Sequence, residues 1–133
     1  MQNLPRDYAV ILVDHGSTYA AANEMLEQVA RNFGDATRIA IVEPAHMEIA
    51  EPTIAQAFAK CVARGAKRVI IHPYFLSPGV HSTTDIPCLV AEAAADFPSV
   101  PFCVSEPIGI DPRMNEVVLR RVLEAVRWEG WEE

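Results

Sequence analysis

The sequence has few basic residues and no apolar run long enough to cross a membrane. Its 133 residues include 11 Lys and Arg against 18 Asp and Glu, a formal net charge of −7. Nucleic-acid-binding domains normally carry a basic stripe, so this balance disfavours a nucleic-acid partner. A bilayer-spanning helix needs about 20 consecutive apolar residues, and the longest runs here have the length of a strand. An anionic small molecule stays open as a ligand, because local cations can serve a single site.

Cysteines are few, and none of them forms a CxxC pair. Cys61, Cys88 and Cys103 are odd in number and far apart. We expect reduced core or near-core thiols in a cytoplasmic protein. An iron–sulfur cluster needs several matched cysteines and is not supported. Residues 1–7 show no basic segment followed by an apolar stretch, so we expect no signal peptide.

The common nucleotide and zinc motifs are also missing. The sequence contains no GxGxxG, no phosphate-binding GxxxxGK[ST] and no HExxH. Half of its residues are hydrophobic, and a chain of this length can bury one real core. We therefore expect one domain over residues 1–133, with a core at about 8–127 and short loose tails.

Apolar runs of strand length alternate with segments of helical periodicity. The last helix is predicted to bury a face that includes Leu119, Val122, Leu123 and Val126. Gly34 is predicted to end the first helix. The predicted strands are 8–13, 37–42, 68–71 and 100–104.

This alternation predicts an α/β fold with a parallel four-stranded sheet and helices on both faces. The first and third strands are the most apolar and should be central. The second carries Arg38 and the fourth carries Pro101, which are features of edge strands. The predicted order is 2-1-3-4, half of a flavodoxin-like sheet, with its switch point between the first and third strands.

All four histidines fall at or just past the carboxyl end of a predicted strand. They are His15, His46, His72 and His81. Ligands of open α/β sheets bind beyond this edge, and imidazole both titrates near neutral pH and ligates metals. The pattern indicates a metal-handling or proton-handling site. For His72, directly before a proline, we expect a structural hydrogen-bonded role.

The loops after the second and third strands add other groups to this edge. Glu48 can add a carboxylate, whereas a solvated strand-end carboxylate is the default expectation for Glu43. The long third loop carries Tyr74 and Phe75, which predict either an apolar wall beside His81 or satellite core. Imidazole with carboxylate suits Fe²⁺ or Co²⁺ at a transient site.

Several stretches together resemble the small class II tetrapyrrole chelatases, specifically sirohydrochlorin chelatases of the short type. The resemblance covers most of the chain, and its second loop is most similar to the ferrochelatase form. The stretches are 13–17 (VDHGS), 42–54 (VEPAHMEIAEPTI), 65–69 (GAKRV), 73–79 (PYFLSPG), His81, 85–87 (DIP) and 106–109 (EPIG).

The resemblance implies a chelatase-like domain and a lyase that inserts a divalent metal, with Fe²⁺ favoured, into sirohydrochlorin to give siroheme. His15 and His81 are the implied catalytic metal ligands, with Glu48 as the catalytic carboxylate. The metal is then a substrate, no cofactor is permanently bound, and the chain is a homodimer with neither a nucleic-acid nor a membrane partner. The expected substrate contacts are Ser17, His46, Phe75, Leu76, Ser77, Gly79 and Ser82.

Three other functions stay open. One is a cobaltochelatase for cobalamin synthesis, and another is a non-catalytic tetrapyrrole or metal carrier. A flavodoxin-like binding or signalling domain would need a phosphate-cradling loop or an acidic cluster around Asp14, and the sequence has neither. Thr18 and Val80 stand where relatives usually carry arginines suited to the carboxylates of the macrocycle.

Overall fold

The computed structural model describes residues 3–79 and 84–131. Strands and helices alternate along the chain, as the sequence predicts. The four strands form one parallel sheet in the order β2-β1-β3-β4, which confirms the predicted order. The elements are β1 (Tyr8–Asp14), α1 (Ala20–Thr37), β2 (Ile41–His46), α2 (Ile54–Ala63), β3 (Arg68–Pro73), α3 (Ile86–Ala94), β4 (Phe102–Val104) and α4 (Arg113–Glu129).

β1 lies at the centre of the sheet because its side chains are apolar on both faces. Its five interior residues are buried, and it pairs with both β2 and β3. Successive side chains of a strand point to opposite faces. Ala9, Ile11 and Val13 therefore join one core cluster, while Val10 and Leu12 join the cluster on the other face.

Three helices cover the two faces of the sheet. Phe58 of α2 and Val90 of α3 are fully buried on one face. Leu26 and Ala30 of α1 are buried on the other. Burying a large apolar side chain contributes about 1.5–3 kcal/mol, so these contacts hold the three layers together. Across the described ranges, no helix is both long and apolar enough to cross a membrane.

The predicted end of the first helix at Gly34 is wrong. α1 continues to Thr37, and Arg38 ends it in the left-handed conformation with φ of 61°. The N–H of Arg38 donates to the Gly34 carbonyl oxygen at 2.8 Å. A glycine inside a helix costs only about 1 kcal/mol relative to alanine. Packing of α1 on the sheet outweighs that cost.

The second strand is consequently displaced toward the carboxyl edge. It was predicted at 37–42 but spans Ile41–His46. Parallel pairing with β1, from Ala9 opposite Ile41 to Asp14 opposite His46, fixes this position. Arg38, the predicted edge charge, lies outside the strand, and Glu43 is the charge inside it.

The predicted burial of the last helix is also wrong, because no residue of α4 is buried. Leu119, Val122 and Leu123 are 57%, 52% and 49% exposed. Their spacing is that of a buried helix face. Within the described ranges, no part of this chain buries that face.

An apolar groove of about 400 Å³ lies open beside α1. It runs along the face of the sheet that α1 covers only in part. Its lining residues are Leu4, Val10, Leu12, Val29, Phe33, Ile39, Ile70, His72 and Tyr74. The sheet is thus covered by two helices on one face and by one helix on the other.

The expectation of three core or near-core thiols holds for Cys61 alone. Cys61 is buried, and burial, the largest cause, raises the pKa of its thiol to about 12. Cys88 and Cys103 are exposed. Cys103 lies on the short edge strand β4, whose first two residues are exposed.

Candidate active site

The predicted strand-end position is confirmed for three of the four histidines. His15 directly follows β1, His46 is the last residue of β2, and His72 is the penultimate residue of β3. His81 lies outside the described residues, as does Ser82. The carboxyl edge of the sheet therefore carries imidazoles from its three longest strands.

His72 has the structural role that the sequence predicts. Its Nδ1 lies 2.8 Å from the Ser105 hydroxyl oxygen just past β4. Burial lowers the pKa of His72, although a hydrogen bond involving the Glu106 backbone acts in the opposite direction. The ring thus favours its neutral form and links β3 to the segment after β4.

The first turn can approach the second loop only because residue 16 is a glycine. Gly16 has φ of +89°, and a Cβ built there would lie 1.9 Å from the Glu48 carbonyl oxygen. Its N–H donates to Asp14 Oδ1 at 3.0 Å. Glycine therefore allows both the positive φ and the close approach of the two backbones.

Two backbone hydrogen bonds continue the pairing of β1 and β2 beyond the strands. The Met47 N–H donates to the Asp14 carbonyl oxygen at 2.8 Å, and the Glu48 N–H donates to the His15 carbonyl oxygen at 3.2 Å. His15 and Glu48 are neighbours for this reason. The structure brings together these two predicted site residues, although 33 positions separate them in the sequence.

The backbone directly after Glu48 is strained. Ile49 has φ of 74°, an outlier for a β-branched residue. The Ala50 N–H donates to the Glu48 carbonyl oxygen at 2.8 Å, which closes a three-residue turn. Such strain costs on the order of 1–3 kcal/mol and clusters at functional sites. Here it follows Glu48, whose backbone is hydrogen-bonded to that of His15.

The third loop contributes an aromatic wall to the site. The rings of Phe75 and His15 stack, with centroids 4.2 Å apart and planes 21° apart. Phe75 also packs against the core cluster of α2 and α3, whereas Tyr74 packs against the cluster of α1. The predicted satellite-core role is confirmed for both residues. The predicted wall beside His81 stays a prediction because His81 lies outside the described residues, and the ring that Phe75 contacts is that of His15. The remaining predicted loop contacts, Leu76, Ser77 and Gly79, are exposed.

His46 is buried below the first turn. Its Nδ1 lies 2.5 Å from Asp14 Oδ1, and only 1% of the residue is exposed. Its Nε2 is buried and has no hydrogen-bond partner among the described residues. Leaving a buried polar atom unpaired costs about 1–3 kcal/mol. The predicted contact of His46 with a substrate stays a prediction, and its burial favours an action through Asp14.

Ser17 is tied to the start of α1. Its N–H donates to Asn23 Oδ1 at 3.0 Å, and its carbonyl oxygen accepts a hydrogen bond from Asn23 Nδ2 at 2.7 Å. Its hydroxyl oxygen accepts the Tyr19 N–H at 3.0 Å. These bonds fix the segment that carries His15 into the helix.

The expected solvation of Glu43 is wrong. Only 7% of Glu43 is exposed. Its oxygens lie 2.6 Å from Arg64 Nη1 and 3.3 Å from Lys60 Nζ. Pairing with the positive charges of Lys60 and Arg64 offsets the free-energy cost of burying this carboxylate. Glu43 therefore has a structural role.

A cleft of about 310 Å³ opens between the second loop and α3. It is lined by Met47, Glu48, Asp85, Cys88 and Leu89. Glu48 therefore faces a solvent-accessible space. In residues 3–79 and 84–131, no three His, Cys, Asp or Glu side chains form a group that could hold a metal ion.

Sequence reasoning missed Asp14 as a partner of His46. A signal was present, because both residues stand at the ends of neighbouring strands. Once β2 extends to His46, the two residues are register partners. The error that placed the end of the second strand at Val42 concealed this pair.

The geometry defines an α/β domain with an imidazole, a carboxylate and an aromatic ring at the carboxyl edge of its sheet. The chain belongs to the CbiX family, whose model matches residues 9–125. That match includes all four strands and most of α4.

Two curated relatives are sirohydrochlorin chelatases by name. The chain is 47% identical over 113 residues to the chloroplastic sirohydrochlorin ferrochelatase of Arabidopsis thaliana, which covers 85% of this chain and 50% of the relative. It is 33% identical over 137 residues to the sirohydrochlorin cobaltochelatase of Methanocaldococcus jannaschii, which covers 85% of this chain and 96% of the relative.

A solved structure has the same fold. The crystal structure of the sirohydrochlorin chelatase SirB from Bacillus subtilis subspecies spizizenii in complex with cobalt matches with a TM-score of 0.83 at 30% identity. The match covers 89% of this chain and 50% of that one. The chain thus spans half the length of the Arabidopsis relative and of SirB, and nearly the full length of the Methanocaldococcus relative.

Proposed function

We propose that this chain inserts a divalent metal ion, with Fe²⁺ favoured, into sirohydrochlorin and so forms siroheme, the reaction of a lyase. The observation that carries the proposal is the convergence of His15, Glu48 and Phe75 at the carboxyl edge of the sheet. An imidazole and a carboxylate can handle a metal and protons, while an aromatic ring can contact a flat macrocycle. The names of the relatives support the same reaction.

The reaction requires proton removal and metal delivery at one place. Two pyrrole protons must leave the macrocycle, and the incoming ion must lose water. An imidazole with a pKa near 6.5 is suited to accept protons at neutral pH. His15 is exposed at the edge and supplies one imidazole. His81 supplies the second in this proposal, on the basis of the family resemblance.

Glu48 offsets the charge of the metal ion in this mechanism. Its backbone is hydrogen-bonded to that of His15 at 3.2 Å, so the two residues are held as neighbours. The macrocycle lies against Phe75 and the exposed Leu76, with Ser17, Ser77 and Gly79 around it. Ser82 is assigned to the same role from the resemblance. The metal is a substrate in this scheme, and no permanently bound cofactor is required.

Iron is favoured over cobalt by similarity. The ferrochelatase relative is 47% identical, whereas the cobaltochelatase relative is 33% identical. Imidazole and carboxylate ligands accept either ion, so the site chemistry itself does not separate them. The cobaltochelatase reaction is therefore the alternative.

An anaerobic absorbance assay tests the proposed activity. Sirohydrochlorin is mixed with Fe²⁺ or with Co²⁺, each with and without the protein. We expect the protein to accelerate insertion of Fe²⁺ more than insertion of Co²⁺. The reverse preference would identify a cobaltochelatase. Binding of sirohydrochlorin with no acceleration for either metal would identify a carrier and contradict the proposal.

We propose that the chain acts as a homodimer in which α4 of each copy covers the groove beside α1 of the other. Each chain has one uncovered amphipathic helix and one open apolar groove. In a twofold-symmetric dimer, α4 of each copy would lie in the groove of the other copy, and both apolar surfaces would be buried. The Ile108 and Gly109 N–H groups donate to the carbonyl oxygens of Phe75 and Leu76 at 2.9 and 2.7 Å, so the segment before α4 is tied to the site loop. The family resemblance, which implies long forms with two fused copies of this domain, supports a pair of such units.

Light scattering with two matched variants tests the dimer. Val122→Glu places a charge on the apolar face of α4, and Arg120→Glu places the same side chain on the charged flank of the helix, next to Glu116 and Glu124. We expect the wild type and Arg120→Glu to have twice the mass of one chain, and Val122→Glu to shift toward the monomer. A monomeric wild type, or a Val122→Glu dimer of unchanged stability, would contradict the exchange.

The cytoplasm is the location we propose for the protein. Cys61, Cys88 and Cys103 are all free thiols, and free thiols persist in reducing compartments. The Arabidopsis relative is described as chloroplastic, so a fluorescent fusion in the source cell is the direct test.

A further inference from the structure

We propose that His46 is a positioning residue that acts through Asp14 to hold the turn carrying His15. This inference rests on the proposed metal insertion, and it assigns part of that activity to a residue buried behind the site. Its basis is a series of two contacts that joins three residues, from the end of β2 to the first turn. The series begins at His46, passes through the Asp14 carboxylate and ends at the Gly16 N–H.

The first step is the shared carboxylate oxygen. Asp14 Oδ1 lies 2.5 Å from His46 Nδ1 and accepts the Gly16 N–H at 3.0 Å. An ionised carboxylate can only accept hydrogen bonds, so His46 Nδ1 donates. Asp14 Oδ1 therefore accepts two hydrogen bonds, one from the His46 side chain and one from the Gly16 backbone. Together they fix the position of the Asp14 side chain.

The second step is the cost of placing an imidazole at this position. His46 is 1% exposed, and its Nε2 has no hydrogen-bond partner among the described residues. A phenyl ring has nearly the same shape and would leave no buried nitrogen unpaired. The side-chain bond that His46 makes is the one to Asp14, so packing alone does not explain the imidazole.

The two hydrogen bonds of Asp14 Oδ1, with His46 and with Gly16, form what we call the Asp14 clamp, and this clamp is connected to the site. Gly16 lies against the Glu48 backbone, and the His15 carbonyl oxygen accepts the Glu48 N–H at 3.2 Å. Moving Asp14 would release Gly16 and alter the stack of His15 on Phe75. Catalytic groups must be held within about 0.5 Å of their productive positions. A looser turn would therefore slow metal insertion without removing a substrate contact.

His46→Phe is the main test, and Arg64→Ala is its matched control. Arg64 pairs with Glu43 of the same strand and also donates to the Ala40 carbonyl oxygen, before the start of β2. We expect His46→Phe to stay folded at the assay temperature and to lose about 10- to 100-fold in kcat with KM for sirohydrochlorin unchanged, more than its change in melting temperature accounts for. Arg64→Ala should melt at a lower temperature and keep its kcat. A structural role alone would make activity follow stability in both variants.

Asp14 variants provide the second test, at a residue only partly buried. Asp14→Ala removes both hydrogen bonds and should lose as much kcat as His46→Phe. Asp14→Asn keeps an acceptor oxygen and should recover part of that loss. The double variant Asp14→Ala with His46→Phe should be no worse than Asp14→Ala alone, because both changes break the same chain of contacts. Additive losses would overturn the proposal.

Amide hydrogen exchange measures the clamp without the reaction. The Gly16 N–H should exchange slowly in the wild type and faster in His46→Phe, while amides of the β1 interior keep their protection. If the wild type fails to insert metal but Gly16 responds in this way, the proposed function fails and the clamp stands. If His46→Phe keeps wild-type kcat and wild-type protection of Gly16, the clamp is overturned.

Discussion

At the scale of single residues, Gly16 meets two requirements, a positive φ and a close contact with the Glu48 backbone, and substitutions can separate their effects. Gly16→Ala would place a Cβ 1.9 Å from the Glu48 carbonyl oxygen and force a side chain into φ of +89°. We expect a loss of stability of a few kcal/mol, about 1–2 of which come from the backbone conformation. We also expect loss of metal insertion, because the second loop must move away from His15. Urea unfolding and the insertion rate measure the two effects.

Gly65→Ala is the matched control for Gly16→Ala. Gly65 has φ of +100°, but a Cβ there would meet nothing within 4 Å. It should lose only the backbone contribution and keep its insertion rate. Equal losses in stability and activity for the two variants would show that the contact with Glu48 is unimportant.

His72 gives a prediction of pH dependence with a definite sign. Burial lowers its pKa in the folded state, so the unfolded chain binds this proton more readily than the folded one. The neutral ring therefore contributes stability above about pH 6.5, and that contribution is lost as the pH falls through the folded-state pKa.

Unfolding free energies measured between pH 5 and 7.5 test this linkage in the wild type and in His72→Asn. The asparagine can keep a hydrogen bond to Ser105 but does not titrate. We expect its stability to fall less steeply on acidification than that of the wild type. Identical slopes for the two proteins would be inconsistent with a lowered pKa at His72.

At the scale of elements, the start of α2 depends on a capping box. The Thr53 hydroxyl accepts the Gln56 N–H at 3.1 Å, and the Gln56 side chain accepts the Thr53 N–H at 2.8 Å. Thr53→Ala should lower the free energy of unfolding by about 1 kcal/mol. Thr53→Ser keeps the hydroxyl and should lose much less, as thermal or urea unfolding would measure. A serine variant as unstable as the alanine variant would contradict the role of the hydroxyl.

The positions of the strands were predicted better than the boundaries of the elements. Continuous apolar runs gave β1 and β3 their central positions, because only fully apolar strands can be covered on both faces. The boundary between α1 and β2 failed because Gly34 is a local signal. The true position of β2 depends on long-range pairing, because its register against β1 places the strand at Ile41–His46.

The sequence predicted part of the candidate site and missed another part. His15, Glu48 and Phe75 could be placed together because the loops after parallel strands meet at one edge of the sheet. The Asp14–His46 pair could not, since it depends on the end of β2. The unburied face of α4 could not be foreseen either, because a helical pattern does not say which surface covers it.

At the scale of the whole molecule, the proposed exchange of α4 would connect assembly with the proposed activity. The segment before α4 is hydrogen-bonded to Phe75 and Leu76 of the site loop. An exchange of α4 between two copies would therefore act on the loop that stacks against His15. This arrangement accounts for an apolar helix and an apolar groove that a single chain leaves uncovered.

The most direct measurement of the central claim is the rate of anaerobic Fe²⁺ insertion into sirohydrochlorin by His15→Ala. We expect a rate near that of the solution reaction, with the wild-type circular-dichroism spectrum and melting temperature retained. Insertion by His15→Ala at the full wild-type rate would show that His15 does not take part in the reaction.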